Sequence, residues 1–117
     1  TGSSASNARR DAVIAVESSE NMAELYVGSA PERRAHPYVS PALGDFTGLP
    51  PLYFQVGSTE ILLDQSMRCG EKARAAGVRA DVEVWPDMPH GWQGMSYLPE
   101  SKRAIDRIAD FFRECCP

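Results

Sequence analysis

Leu52-Tyr53-Phe54-Gln55-Val56-Gly57-Ser58-Thr59-Glu60, answered further on by Val82-Glu83-Val84-Trp85-Pro86-Asp87-Met88-Pro89-His90-Gly91-Trp92, sets the architecture of this chain. Residues 52–56 form a short apolar run with little alternation, the pattern of a strand covered on both faces. Gly57-Ser58-Thr59 turns the chain into a helix predicted over residues 61–76 and closed by Gly77 at the C′ position. Leu63, Met67, Gly70 and Ala73 or Arg74 fall near one face of that helix, and the small residues among them permit close approach to a sheet. Residues 82–85 are the next predicted strand. Strand, helix, strand at this spacing is a right-handed βαβ unit with parallel strands.

A loop holding Pro86, Pro89, Gly91 and Gly94 separates the second strand from a last helix. Pro99 suits the first position of that helix and Glu100 its first turn, and Ala104, Ile105, Ile108, Phe111 and Phe112 recur at helical spacing. Upstream, Pro31, Pro37, Pro41, Pro50 and Pro51, with Gly44 and Gly48, predict a long ordered loop without regular structure over residues 29–51. Ser18 or Ser19 can cap a short helix carrying Met22, Ala23, Leu25 and Tyr26 and stopped at Gly28. Residues 1–15 are polar and aperiodic and read as loop or frayed terminus. The expected fold class is therefore α/β: one parallel βαβ unit over residues 52–117, completed by the last helix, with further helices flanking it. Two parallel strands cannot bury both their faces, so a fragment of a larger sheet is expected, with residues 1–117 as one portion of a single domain.

Composition narrows the function classes. At 117 residues with 43% hydrophobic and 24% charged residues, one ordinary globular domain is the ceiling. A net charge of −4, with no Lys/Arg stripe, argues against nucleic acid. No apolar stretch is long enough to span a bilayer, and the polar start lacks a signal-peptide core. Cys69, Cys115 and Cys116 have neither metal-ligand spacing nor a disulfide framework, so three reduced thiols in a cytoplasmic protein are expected, with no metal and no cofactor.

Glu60 and His90 both stand just past the carboxyl end of a predicted strand, where open α/β sheets gather their reacting groups. An acid followed by a histidine, each after its own strand, supplies the second and third members of a triad in the order Ser…Asp/Glu…His. Such a histidine needs a carboxylate within about 2.6–3.2 Å to fix its tautomer and stabilise the imidazolium it becomes. Alone, Glu60 would be an acid at a helix N-terminus and His90 a loop histidine; matched strand ends make the pair the stronger reading. Asp64, one turn on, is a rival acid. His36 suits a surface role, Trp85 the core, and Trp92 either the core or the wall of a substrate pocket.

Together, Pro37-Tyr38-Val39-Ser40-Pro41, Gly48-Leu49-Pro50-Pro51-Leu52, Gln55-Val56-Gly57-Ser58-Thr59-Glu60-Ile61-Leu62-Leu63-Asp64 and Trp85-Pro86-Asp87-Met88-Pro89-His90-Gly91-Trp92 resemble the C-terminal part of the hormone-sensitive-lipase family of bacterial esterases, which have the α/β-hydrolase fold. The resemblance implies hydrolysis of a small-molecule ester through an acyl-enzyme on serine. It makes His90 the triad histidine, acting as base and then acid, and Glu60 the triad acid, a position more often Asp in the family. Asp64 matches a second acidic position of the same segment. Homodimers through the last strand and last helix are also implied, here residues 82–85 and 105–112. In such enzymes the nucleophile elbow and the His-Gly-Gly oxyanion loop lie upstream, and this sequence holds neither. Ser29 and Ser58 each follow a glycine but lack the second one and the strand-to-helix elbow, so the isolated chain is expected to be inactive by the triad route. Two other readings stand beside this one: a non-catalytic βαβ module for dimerisation or ligand binding, and a serine peptidase of prolyl-oligopeptidase type.

Overall fold

A computed structural model describes residues 2–28 and 30–116. Its centre is the expected crossover. β1 (Leu52–Gly57) and β2 (Ala80–Trp85) pair in parallel, with Leu52 opposite Ala80 and Gly57 opposite Trp85. Both strands thus end level with one another, which brings the turn after each to one edge. β2 begins two residues before the expected start, because Ala80 and Asp81 continue the ladder despite their low strand propensity.

The connecting helix, α3, spans Leu63–Ala75. It starts later than expected because two turns come first: the Glu60 N–H donates to the Gly57 carbonyl at 3.1 Å, and the Leu63 N–H to the Glu60 carbonyl at 3.4 Å. Gly77 ends it with φ 79°, letting the Val78 N–H reach back to the Ala73 carbonyl at 3.0 Å. Gly70 and Ala73 are buried against the sheet, and a Cβ on Gly70 would stand 2.2 Å from Cγ2 of Val82. Close helix–strand contact at this point depends on hydrogen in place of a side chain.

A helix packs on each face of the sheet. Toward α3, Ala73, Val78 and Ala80 join Phe46 from the Pro-rich segment, with Leu52, Phe54, Cys69 and Ala76 packed around them. On the opposite face lies the last helix, α4 (Pro99–Cys115). There Tyr53 stacks on Phe111 with ring centroids 5.1 Å apart, and the Gln55 side-chain amide donates to the Ala104 carbonyl at 3.0 Å. Alternate residues of β1 therefore serve different helices. Leu52 and Phe54 serve the apolar side; Tyr53 and Gln55 serve the side that mixes rings with polar groups.

Three expectations change. Residues 1–15 are not loop throughout: Gly2–Ser6 form a helix, α1, with Ser3 and Asn7 buried. Its contacts are hydrogen bonds to the start of α3 rather than an apolar stripe, so no periodicity announced it. The next helix, α2 (Val16–Val27), starts ahead of Ser18 and Ser19, and neither serine caps it. Its stop at Gly28, φ 70°, is as expected. The Pro-rich segment is not wholly irregular, since Pro31–Ala35 and Pro41–Leu43 are 3-10 turns. Proline's fixed φ and missing N–H suit the first position of a turn as well as a loop. Ser29 falls outside the described residues. Among the described residues, no helix is long and apolar enough to cross a membrane.

Helix propensity and packing make opposite predictions for Gly70→Ala. Propensity favours alanine by about 1 kcal/mol, whereas the 2.2 Å approach to Val82 forces helix and strand apart. Overpacking of this kind costs about 1–3 kcal/mol. Urea unfolding of Gly70→Ala should show a lower midpoint than the parent; a midpoint at or above it would mean the interface yields freely.

Candidate active site

The turn leaving β1 is built around one carboxylate. Glu60 is 3% exposed. Its Oε1 accepts the N–H of Gly57 at 2.6 Å, and its Oε2 lies 2.7 Å from Nδ1 of His90. A carboxylate so deeply buried needs such donors, because burial strips away the water that would otherwise solvate it. The arrangement selects the His90 tautomer that carries its proton on Nδ1 and donates it to Glu60. Nε2 is then the free lone pair of a half-open imidazole, whose side chain is 41% exposed.

The loop leaving β2 delivers His90 through contacts that run back to the first turn. The Asp87 N–H donates to the Ser58 hydroxyl at 2.9 Å, and the Thr59 hydroxyl donates to the Met88 carbonyl at 2.8 Å. Asp87 adopts φ 57°, a left-handed conformation that Asp tolerates better than most side chains. Gly57 makes the close approach possible: a Cβ there would fall 1.9 Å from the Met88 carbonyl oxygen. Trp92, 0% exposed, anchors the far end of the loop, with its ring centroid 5.8 Å from that of Trp85. Trp85 is only half-buried, so of the two tryptophans it is Trp92 that belongs to the core, the reverse of the weighting their positions suggested.

Asp64 does not reach His90. Its carboxylate accepts the Ser3 N–H at 2.7 Å, and its own N–H donates to the Ser3 hydroxyl at 3.0 Å. The acid that meets the imidazole is Glu60. His36 is exposed and its Nδ1 accepts the Tyr38 N–H, away from the pair. An open cleft of about 880 Å³ lined by Tyr26, Val27, Arg33, His36 and Val39 contains neither Glu60 nor His90. Ser58 accepts a loop N–H and does not stand on an elbow; Ser29 lies outside the described residues.

Two residues of the site gave no sequence signal. Asn7, 3% exposed, donates both amide protons, to the carbonyls of Ser58 at 3.0 Å and Glu60 at 2.9 Å. Asp11 accepts the Ile61 N–H at 3.0 Å with Oδ2, while its Oδ1 accepts from Val13 and Ile14. Partial burial pushes the Asp11 carboxyl up, but the N–H groups of Ile14, Ile61 and Val13, helped by His90, outweigh it and hold the group below the usual carboxylate range. Asp11 stands in the polar stretch five residues ahead of α2, and nothing local distinguishes it from any other loop Asp.

The residues 1–94 match a family model described as the alpha/beta hydrolase fold. An acetyl-hydrolase of Streptomyces hygroscopicus is 41% identical over 105 residues, covering 89% of this chain and 34% of that protein. An esterase of Acinetobacter venetianus is 37% identical over 106 residues, covering 90% of this chain and 35% of its own length. The chain thus spans about a third of the length of the curated relatives it matches. Among solved structures, an esterase from the bacterial hormone-sensitive lipase family superposes with TM-score 0.90 at 44% identity, over 98% of this chain and 38% of that one. EstE5, soaked with p-nitrophenyl butyrate, superposes with TM-score 0.89 at 39% identity, again over 38% of its length. The paired turns beyond β1 and β2, the family match and these superpositions agree: the chain belongs to the α/β-hydrolase family, in its hormone-sensitive-lipase branch.

Proposed function

We propose that this chain is the C-terminal portion of a serine carboxylesterase and supplies the acid and the base of its triad. The observation that carries the reading is the 2.7 Å contact between Glu60 Oε2 and His90 Nδ1 beyond the ends of two parallel strands. With Nδ1–H held by the carboxylate, Nε2 takes the proton of a serine hydroxyl as it attacks the ester carbonyl. Glu60 stabilises the imidazolium so formed. The same proton then passes to the departing alcohol, and a second cycle with water releases the acid. The serine and the oxyanion donors are not among the motifs of this sequence, so the substrate is a small ester bound mainly by residues outside it. The named acetyl-hydrolase and esterase relatives favour this over a peptidase. Three unbridged cysteines suit a reducing, cytoplasmic setting.

A homodimer is proposed on the same reading. Val84, Ile105 and Phe112 are 41%, 50% and 59% exposed along β2 and α4, and the outer edge of β2 has no strand beside it among the described residues.

The catalytic proposal is tested in a chimera, with the matching stretch of the Streptomyces acetyl-hydrolase replaced by this chain. On a short-chain p-nitrophenyl ester, His90→Ala and Glu60→Gln should each lower kcat by about 10³-fold or more. Hydrolysis that survives His90→Ala would sink it. The isolated chain should show no turnover that depends on His90; a rate abolished by His90→Ala would place a nucleophile within these residues. Gly57→Ala, by displacing Met88, should lower kcat of the chimera with little change in KM, and an unchanged kcat would show that the loop adjusts without moving His90. For the dimer, light scattering should give twice the protomer mass for the parent and the monomer mass for Phe112→Glu; equal masses would remove the proposed contact.

A further inference from the structure

We propose that Asn7 and Asp11 are positioning residues for the Glu60–His90 pair, bracing the backbone of residues 58–61 so that the Glu60 carboxylate is aimed at the imidazole. The segment between β1 and α3 lies in neither element, so its peptide groups have few partners of their own. The first helix and the residues after it provide them. Asn7 holds the carbonyls of Ser58 and Glu60, Asp11 holds the N–H of Ile61, and the Ser3 hydroxyl donates to the Ile61 carbonyl at 3.0 Å. An amide is the side chain that fits at position 7, since two carbonyls face it and a carboxylate would meet them oxygen to oxygen. At position 11 a carboxylate fits, since three N–H groups converge on its two oxygens.

The brace matters because Glu60 has a long side chain. Its carboxylate stands three rotatable bonds from the backbone, so a small rotation of the peptide plane at residue 60 moves Oε2 well beyond hydrogen-bond distance. The bond from the Gly57 N–H to Oε1 holds the far end of the side chain; Asn7 and Asp11 hold the near end. A misplacement of about 1 Å at a reacting group costs on the order of 10²-fold in rate. Of the nearby charges, Arg10 donates to Asn7 Oδ1 at 3.5 Å and lies 3.8 Å from Asp87, and Asp64 is held by Ser3.

The catalytic meaning of the brace rests on the esterase reading, but its existence does not, and the experiment separates the two. In the full chain, the Nδ1 proton of His90 is followed by NMR and assigned by its disappearance in His90→Ala. Asn7→Ala, the isosteric Asn7→Asp and Asp11→Ala should each lose or displace that resonance at temperatures where the amide spectrum shows a folded protein. Val27→Ala, a truncation of a buried α2 residue with no hydrogen bond to the turn, should keep it despite its own loss of stability. In the acetyl-hydrolase chimera the same three brace variants should lower kcat by about 10²-fold with KM within about twofold. An unchanged His90 resonance in the brace variants, or the same loss in Val27→Ala, overturns the brace even if the chimera is active. A resonance lost as expected in the full chain, alongside a chimera that hydrolyses no ester in any version, retains the brace and removes the esterase reading instead.

Discussion

One buried carboxylate ties the two turns of this α/β unit together. Glu60 is nearly sealed from water, and each of its oxygens accepts one hydrogen bond, from the Gly57 N–H and from His90 Nδ1. A carboxylate in that position is tolerable only while both donors stay in place, since a hydrogen bond to a charged group is worth about 1.5–3 kcal/mol and its loss strands the charge. The constraint explains several residues that otherwise look unrelated. Gly57 must lack a Cβ because the Met88 carbonyl passes over it, and Ser58 and Thr59 must be hydroxyl residues because each binds the backbone of the His90 loop.

Strand register sets whether the two turns can meet. Parallel pairing places Gly57 opposite Trp85, so the turns that follow them begin at the same height. A one-residue slip would send Glu60 and His90 to different levels and turn each strand's faces over. That register is held by side-chain size on the α3 face, where Gly70 lets the helix close on Val82 and Ala73 is fully covered. On the α4 face Tyr53 is a pivot between layers: its hydroxyl bonds Glu83 across the ladder while its ring stacks on Phe111. Glu83 in turn binds Arg107 of α4 at 3.2 Å. Burial pushes the Glu83 carboxyl up, but its hydrogen bonds, that of Tyr53 first, bring it below the usual range, so it remains an anion between strand and helix.

How much of this was readable in advance varied with the kind of interaction. The βαβ crossover was visible because an apolar run, a Gly stop and a second apolar run are local patterns. α4 was visible because Pro99 and the Ala104–Phe111 spacing are local too. α1 was not. Its Ser3, and Asn7 just after it, face backbone groups of a turn more than fifty positions away, and a serine or asparagine chosen for such partners looks the same as one in a loop. The outward-facing Met22, Leu25 and Tyr26 of α2, at 68%, 87% and 73% exposure, show the converse: the spacing marked a helix correctly and said nothing about which side of it would be covered.

The amino-acid order alone determined the βαβ crossover, the helices α2 and α4 and the two titratable side chains that end beyond the strands, because periodicity, glycine stops and proline positions act over a few residues. Tertiary structure alone decided that Glu60 rather than Asp64 meets His90, that Trp92 rather than Trp85 is sealed in the core, and that Asn7 and Asp11 hold the acid turn. The physical reason is direction. Spacing says which groups are near in the chain, but a hydrogen bond to a carboxylate forms only where a donor points, and that orientation is set by the packing of segments far apart in sequence.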